Sequence, residues 1–124
     1  DYQQIILIKK FIKKKFKTQI VECKTVRLNN LVPYSSRNFY LSRNAIKDAS
    51  FVSISIYKLY LSIKKNFNKR FNISLVKNKI ESKKIRTDYF EIRNKTNLSK
   101  NFNRKNFKIF IAYYLNDIRL IDNF

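Results

Sequence analysis

Apolar residues recur at three- and four-residue spacing from the start of the chain. Ile5, Ile8, Ile12, Phe16 and Ile20 form one face of a helix over residues 3–20, and Lys9, Lys10, Lys13, Lys14, Lys15 and Lys17 occupy the rest. The period then disappears. Residues 21–40 hold the single proline, Pro33, and the pairs Asn29-Asn30 and Ser35-Ser36, the signature of a loop or extended stretch. Ser42 is placed to cap a second helix, with Leu41 before it and Ile46 where a hydrophobic staple closes. Ala45, Ala49, Val52, Ile56, Tyr60 and Ile63 continue a helical stripe, yet Phe51–Tyr57 also alternates as a strand does. The pattern predicts a helix over 42–50 and leaves both readings open for 51–63.

Residues 64–105 are polar and rich in Lys and Asn. Only Phe71–Val76 and Tyr89–Ile92 are apolar enough to be strands, and the remainder suits a segment that orders on a partner. Phe107, Phe110, Ile111, Tyr114, Ile118 and Ile121 trace a face at helical spacing, which predicts a C-terminal helix. The expected fold class is mainly α with extended loops, a small α+β arrangement being the alternative. In order it has an N-terminal basic helix, a basic loop, a second helix, a polar extension and a C-terminal helix. The expected division is a binding region over 1–64 and an extension over 65–124.

Composition narrows the chemistry. There is no Gly in 124 residues, so a Gly-rich phosphate loop or dinucleotide fingerprint is excluded. No His and a single Cys, Cys23, exclude a Cys/His zinc site, a His-based triad and an intrachain disulfide. The eight acidic residues are scattered, which predicts capping and local ion pairing in place of catalytic carboxylates. From these absences the chain is expected not to be an enzyme, with no catalytic residue, metal, cofactor or small-molecule substrate.

Charge points to a polyanion. The net charge is +20, and residues 2–21, 23–47, 49–80 and 92–116 contain no acid at all. Ordinary surfaces mix both signs and carry a net charge of about 2–8. In the loop, Lys24, Arg27 and Arg37 lie among Tyr34, Phe39 and Tyr40, a mixture that suits phosphates and unpaired bases. The longest uncharged stretches, 28–36 and 49–57, fall well short of the roughly 20 residues of a spanning helix, so no membrane insertion is expected. Phe, Ile, Asn, Lys and Tyr dominate, while Ala and Pro are scarce, as in an extremely A/T-rich genome. With no secretory or transit signal visible, the expected location is the mitochondrial matrix for a chain encoded in the organelle, with the plastid as the other choice.

One segment resembles a known family. Leu41-Ser42-Arg43-Asn44-Ala45-Ile46-Lys47-Asp48-Ala49, with Phe39 two residues ahead and Cys23, Thr25 and Arg27 upstream, is similar to the signature of small-subunit ribosomal protein fourteen, in its zinc-free bacterial-type branch. The resemblance implies a structural protein of an organellar ribosome, bracing ribosomal RNA in the head of the small subunit beside neighbouring ribosomal proteins. It places RNA contacts on Arg27, Ser42, Arg43 and Lys47. The basic helix and loop add Lys13, Lys14, Lys17 and Arg37 to the expected RNA-binding set. A large-subunit position and a peripheral accessory subunit of an organellar membrane complex are the alternatives.

Overall fold

The computed structural model describes residues 2–66 and 72–124. Three helices, α1 (Tyr2–Lys15), α2 (Arg43–Lys65) and α3 (Ile73–Glu81), precede three strands, β1 (Arg86–Asn94), β2 (Phe107–Leu115) and β3 (Ile118–Asn123). The strands form one antiparallel sheet in the order β1-β2-β3. The class is therefore not mainly α, and the predicted C-terminal helix is a β-hairpin.

The reason lies in β2. Its sequence, Phe107-Lys108-Ile109-Phe110-Ile111-Ala112-Tyr113-Tyr114-Leu115, is apolar at almost every position, and all but Lys108 and Tyr114 are buried. A run apolar on both sides satisfies helical and strand spacing alike, so period alone does not separate them. Its β-branched and aromatic content favours a pleated surface covered on both faces. Asn116-Asp117 then turns the chain in two residues, with Asn116 at a φ of 52°, a left-handed value that Asn tolerates better than most residues.

The second helix starts where the sequence places it. The Ser42 Oγ accepts a hydrogen bond from the Ala45 N–H at 3.2 Å. The helix runs through the ambiguous 51–63 stretch, because Val52, Ser53, Ile56 and Ile63 share its inward side with Ala45 and Ala49. That side meets Ile109, Ile111, Tyr113 and Leu120 of the sheet, and Val32, Ile80, Ile85 and Ile92 complete the same core. The core thus draws on residues from both sides of position 64.

Two other predicted elements change. The first helix ends at Lys15 and not at 20: beyond Phe16 come Thr18, Ile20 and Val21, β-branched residues that favour extended backbone. Residues Ile73–Glu81, partly read as a strand, form a helix capped by Asn72, whose Oδ1 accepts from the Leu75 N–H at 3.0 Å. Phe71 of that reading lies outside the described residues. Tyr89–Ile92 does lie in a strand, β1.

Without glycine, three bulkier residues take left-handed backbone: Leu31 at φ 67°, Lys84 at φ 60° and Leu98 at φ 62°. Such a conformation costs an L-residue about 1–2 kcal/mol. Lys84 is exposed and closes the link from α3 to β1, with its N–H donating to the Glu81 carbonyl at 2.9 Å. Lys84→Gly is therefore expected to raise stability by about 0.5–1 kcal/mol, net of the entropy glycine adds to the unfolded chain. Urea denaturation of the two proteins measures the difference, and equal midpoints would contradict it.

Candidate anion-binding site

The loop between α1 and α2 is fastened at its middle. Residues 26–34 form a narrow turn in which Arg27 bridges Pro33, and the Tyr34 N–H donates to the Val26 carbonyl at 2.9 Å. The Ser50 hydroxyl of α2 donates to the Asn30 carbonyl at 2.9 Å and ties the turn down.

Arg27 holds it to the end of the chain. Its Nη1 donates to Asp122 Oδ2 at 3.0 Å and to the Leu31 carbonyl at 2.8 Å. Its Nη2 donates to Asp122 Oδ1 at 2.8 Å and to the Asn123 carbonyl at 2.9 Å. The guanidinium also lies 3.8 Å from the centroid of the Phe124 ring. Asp122 accepts two more hydrogen bonds, from the Ser53 hydroxyl at 3.1 Å and the Asn123 N–H at 2.7 Å. Burial pushes the Asp122 carboxyl above its ordinary range, and Arg27, Asn123 and Ser53 pull it back. The bidentate fork expected to grip phosphate at Arg27 grips a carboxylate of the same chain instead.

The segment beyond this anchor is open. The Asn38 Nδ2 donates to the Pro33 carbonyl at 3.0 Å, and Ser35 Oγ accepts from the Arg37 N–H at 3.2 Å, starting a single 3-10 turn over Ser36–Tyr40. Ser36 and Arg37 are exposed, as are Tyr34, Phe39 and Tyr40. Arg43 and Lys47 follow, exposed on the first turns of α2. Among the described residues Arg37, Arg43 and Lys47 make no ion pair. The exposed Ser36 hydroxyl, cations outside any ion pair and the N-terminus of a 23-residue helix thus follow one another over residues 36–47. This is a surface that attracts an anion, with exposed rings beside it for an aromatic group.

The same turn also borders an open cleft of about 880 Å³, lined among others by Tyr2, Glu22, Lys24, Tyr34, Tyr60 and Lys108. Lys108 is half-buried, and its Nζ lies 4.5 Å from the centroid of the Tyr2 ring. Burial lowers its pKa from the ordinary lysine value. Neither Lys108 nor the Ser35-Ser36 pair was among the residues expected to bind. Two adjacent hydroxyls directly before an arginine were the sequence signal for the pair, whereas Lys108 was hidden inside an assumed helix. Lys13, Lys14 and Lys17 are exposed at the far end of α1, and Lys13 and Lys17 border a separate hollow with Phe16 and Ile20. Ser42 is spent on its cap.

Comparison with known proteins gives the family. The family model of pantoate-beta-alanine ligase matches the chain over residues 1–124. The chain belongs to the pantoate-beta-alanine ligase family. The pantothenate synthetase of Francisella philomiragia is 35% identical over 126 residues, covering 100% of this chain and 40% of the relative. A bifunctional pantoate ligase/cytidylate kinase of Prochlorococcus marinus is 34% identical over 125 residues, covering 99% of this chain and 24% of the relative.

The ligase of Francisella tularensis, solved in complex with beta-gamma ATP and beta-alanine, superposes with a TM-score of 0.73 at 31% identity, covering 100% of this chain and 40% of that one. The Thermus thermophilus enzyme superposes with a TM-score of 0.75 at 23% identity, covering 100% of this chain and 46% of that one, a likeness of fold. The chain spans about 40% of the length of the Francisella pantothenate synthetases it matches.

Family membership overturns the ribosomal reading in each of its parts: the protein-fourteen resemblance, ribosomal RNA and ribosomal proteins as partners, the structural role, and the expectations of no enzyme and no small-molecule substrate. The physical cause is plain. Leu41–Ala49 encodes a capped helix start, with an apolar residue, a capping serine and an apolar period behind it, and unrelated proteins arrive at such starts independently. Net charge attracts phosphate wherever it sits, and does not distinguish a nucleic acid from a nucleotide.

Proposed function

We propose that this chain carries part of the substrate site of a pantoate-beta-alanine ligase, which joins pantoate to beta-alanine with ATP. The observation behind it is the Francisella tularensis relative, 31% identical across the whole of this chain and solved with beta-gamma ATP and beta-alanine. All three substrates are anions or carry a carboxylate, and the chain offers cations and hydroxyls that no acid of its own engages. Arg37, with the Ser36 hydroxyl and the start of α2, holds a phosphate group of the nucleotide. The Arg37 fork fits phosphate oxygens in two places at once, and the backbone around it is fixed by the Arg27–Asp122 anchor.

The test is substrate binding. The protein is titrated by calorimetry with ATP, pantoate and beta-alanine in turn. Binding of ATP that weakens with added salt is the expected result. A protein that binds neither ATP nor either acid would sink this reading.

A further inference from the structure

Tyr2, Tyr60, Lys108 and Phe124 also line a second hollow, of about 410 Å³, at the end of the sheet where β2 begins and β3 finishes. Cations from three places meet on its wall. Lys64 comes from the last turn of α2, Lys95, Arg104 and Lys105 from the link between β1 and β2, and Lys108 from β2 itself. Among the described residues none of them makes an ion pair. The carboxylate on the same wall, Glu22, is taken by Lys9 at 2.7 Å.

The link that carries three of these cations is held in shape by its asparagines. The Asn94 Nδ2 donates to the Asn101 carbonyl at 3.0 Å, and its Oδ1 accepts from the Thr96 N–H at 2.9 Å. Asn106 Oδ1 accepts from the Asn103 N–H at 2.8 Å, and Asn103 Oδ1 from the Lys105 N–H at 2.9 Å. The Lys95 N–H donates to the Asn106 carbonyl at 2.9 Å and ties the two ends of the link together. Backbone fixed in advance lowers the ordering cost of binding. Lys108 adds a cation drawn partly out of water. Burial, with the charges of Arg27 and Lys95, lowers its pKa, and Glu22 and Asp122 oppose that. Like charges round one small space repel one another, and a single carboxylate offsets one of them. An anion bearing several charges close together offsets most of them at once.

We infer that the hollow at Lys64, Lys95, Arg104, Lys105 and Lys108 is a second anion site, which takes a compact oligophosphate, either an inorganic chain or the phosphate tail of a nucleotide. Its volume falls in the range of small-ligand pockets. It is separate from the surface at Arg37. Arg37 lies ahead of the first turn of α2 and Lys64 in its last, so the length of a 23-residue helix, on the order of 30 Å, lies between them. The inference rests neither on family membership nor on the phosphate site proposed at Arg37.

The full chain carrying Arg37→Ala, which removes the other candidate site, is titrated with tripolyphosphate by calorimetry and by amide chemical shifts. One tripolyphosphate per chain is expected, with the largest shifts at Lys95, Arg104, Lys105 and Lys108. Adding Lys108→Gln with Arg104→Gln is expected to weaken binding at least about tenfold, the loss of charge-assisted hydrogen bonds. Lys10→Gln with Lys58→Gln removes the same charge elsewhere on the surface and is expected to change the affinity less than about twofold. ATP titrated into the same chain separates the two sources: tighter binding than tripolyphosphate assigns the site to a nucleotide, and equal or weaker binding to the inorganic chain. No binding of tripolyphosphate to the Arg37→Ala chain would overturn the inference. So would shifts centred away from the hollow, or a Lys10→Gln/Lys58→Gln pair that weakens binding as much as Lys108→Gln/Arg104→Gln.

Discussion

Asp122→Ala is expected to lower the unfolding free energy by about 3–5 kcal/mol, the usual cost of stranding one half of a buried ion pair. Small domains hold a total of about 5–15 kcal/mol, so the loss is a large share of the stability. The Asp122 side chain is 1% exposed and that of Arg27 16%. The substitution removes the acceptor of two Arg27 hydrogen bonds and leaves a guanidinium that cannot shed its proton. It also releases the Ser53 hydroxyl and loosens the 26–34 turn, leaving Arg27 the Asn123 carbonyl as its acceptor on β3.

Arg27→Ala is expected to cost less as the pH falls, because a bare Asp122 can take up a proton. Its carboxyl is already pushed up by burial, and losing Arg27 pushes it further. Between the unfolded and folded pKa values the folded variant then binds more protons than the unfolded one, so its stability rises as the pH falls through that window. The paired replacement Arg27→Met with Asp122→Leu is expected to recover most of the loss, since no charge is left buried. Thermal denaturation of the four proteins at pH 5 and pH 7 reads all of this. An Asp122→Ala loss below about 1 kcal/mol would mean that the pair behaves as a surface salt bridge.

Arg37→Ala is expected to weaken ATP binding by about 10- to 150-fold, the loss of a charge-assisted hydrogen-bonding group worth roughly 1.5–3 kcal/mol. The side chain is exposed and makes no ion pair among the described residues, so removing it leaves the fold untouched. Arg37→Lys keeps the charge and loses the fork, and is expected to fall between the two. Calorimetric titration with ATP, with melting temperature as the control, separates a binding effect from a folding one. Unchanged affinity in Arg37→Ala at an unchanged melting temperature would remove Arg37 from the site.

The anchor shows what was hard to see beforehand. Arg27 and Asp122 lie 95 residues apart, and nothing local marks them as partners. Asp122 read as one of eight scattered acids and Arg27 as one of 28 cations. Arg37 reads from the sequence as a binding cation, but charge and A/T-rich composition, the strongest signals, describe attraction and ancestry, and neither tells RNA from another anion.

By itself the sequence determined whatever is local. Ser42 caps α2 because a hydroxyl and an N–H three residues apart meet in any helix start. The stripe from Ala45 to Ile63 turns inward because its spacing matches the helical period. The missing glycines set Leu31, Lys84 and Leu98 in left-handed backbone wherever the path demands it. Only the tertiary structure decided the rest. Phe107–Leu115 becomes a central strand because β1 and β3 supply hydrogen bonds on both edges and α2 covers one face, and those partners come from elsewhere in the chain. The same long-range closure turns Arg27 from a ligand of outside anions into the anchor that leaves Arg37 free.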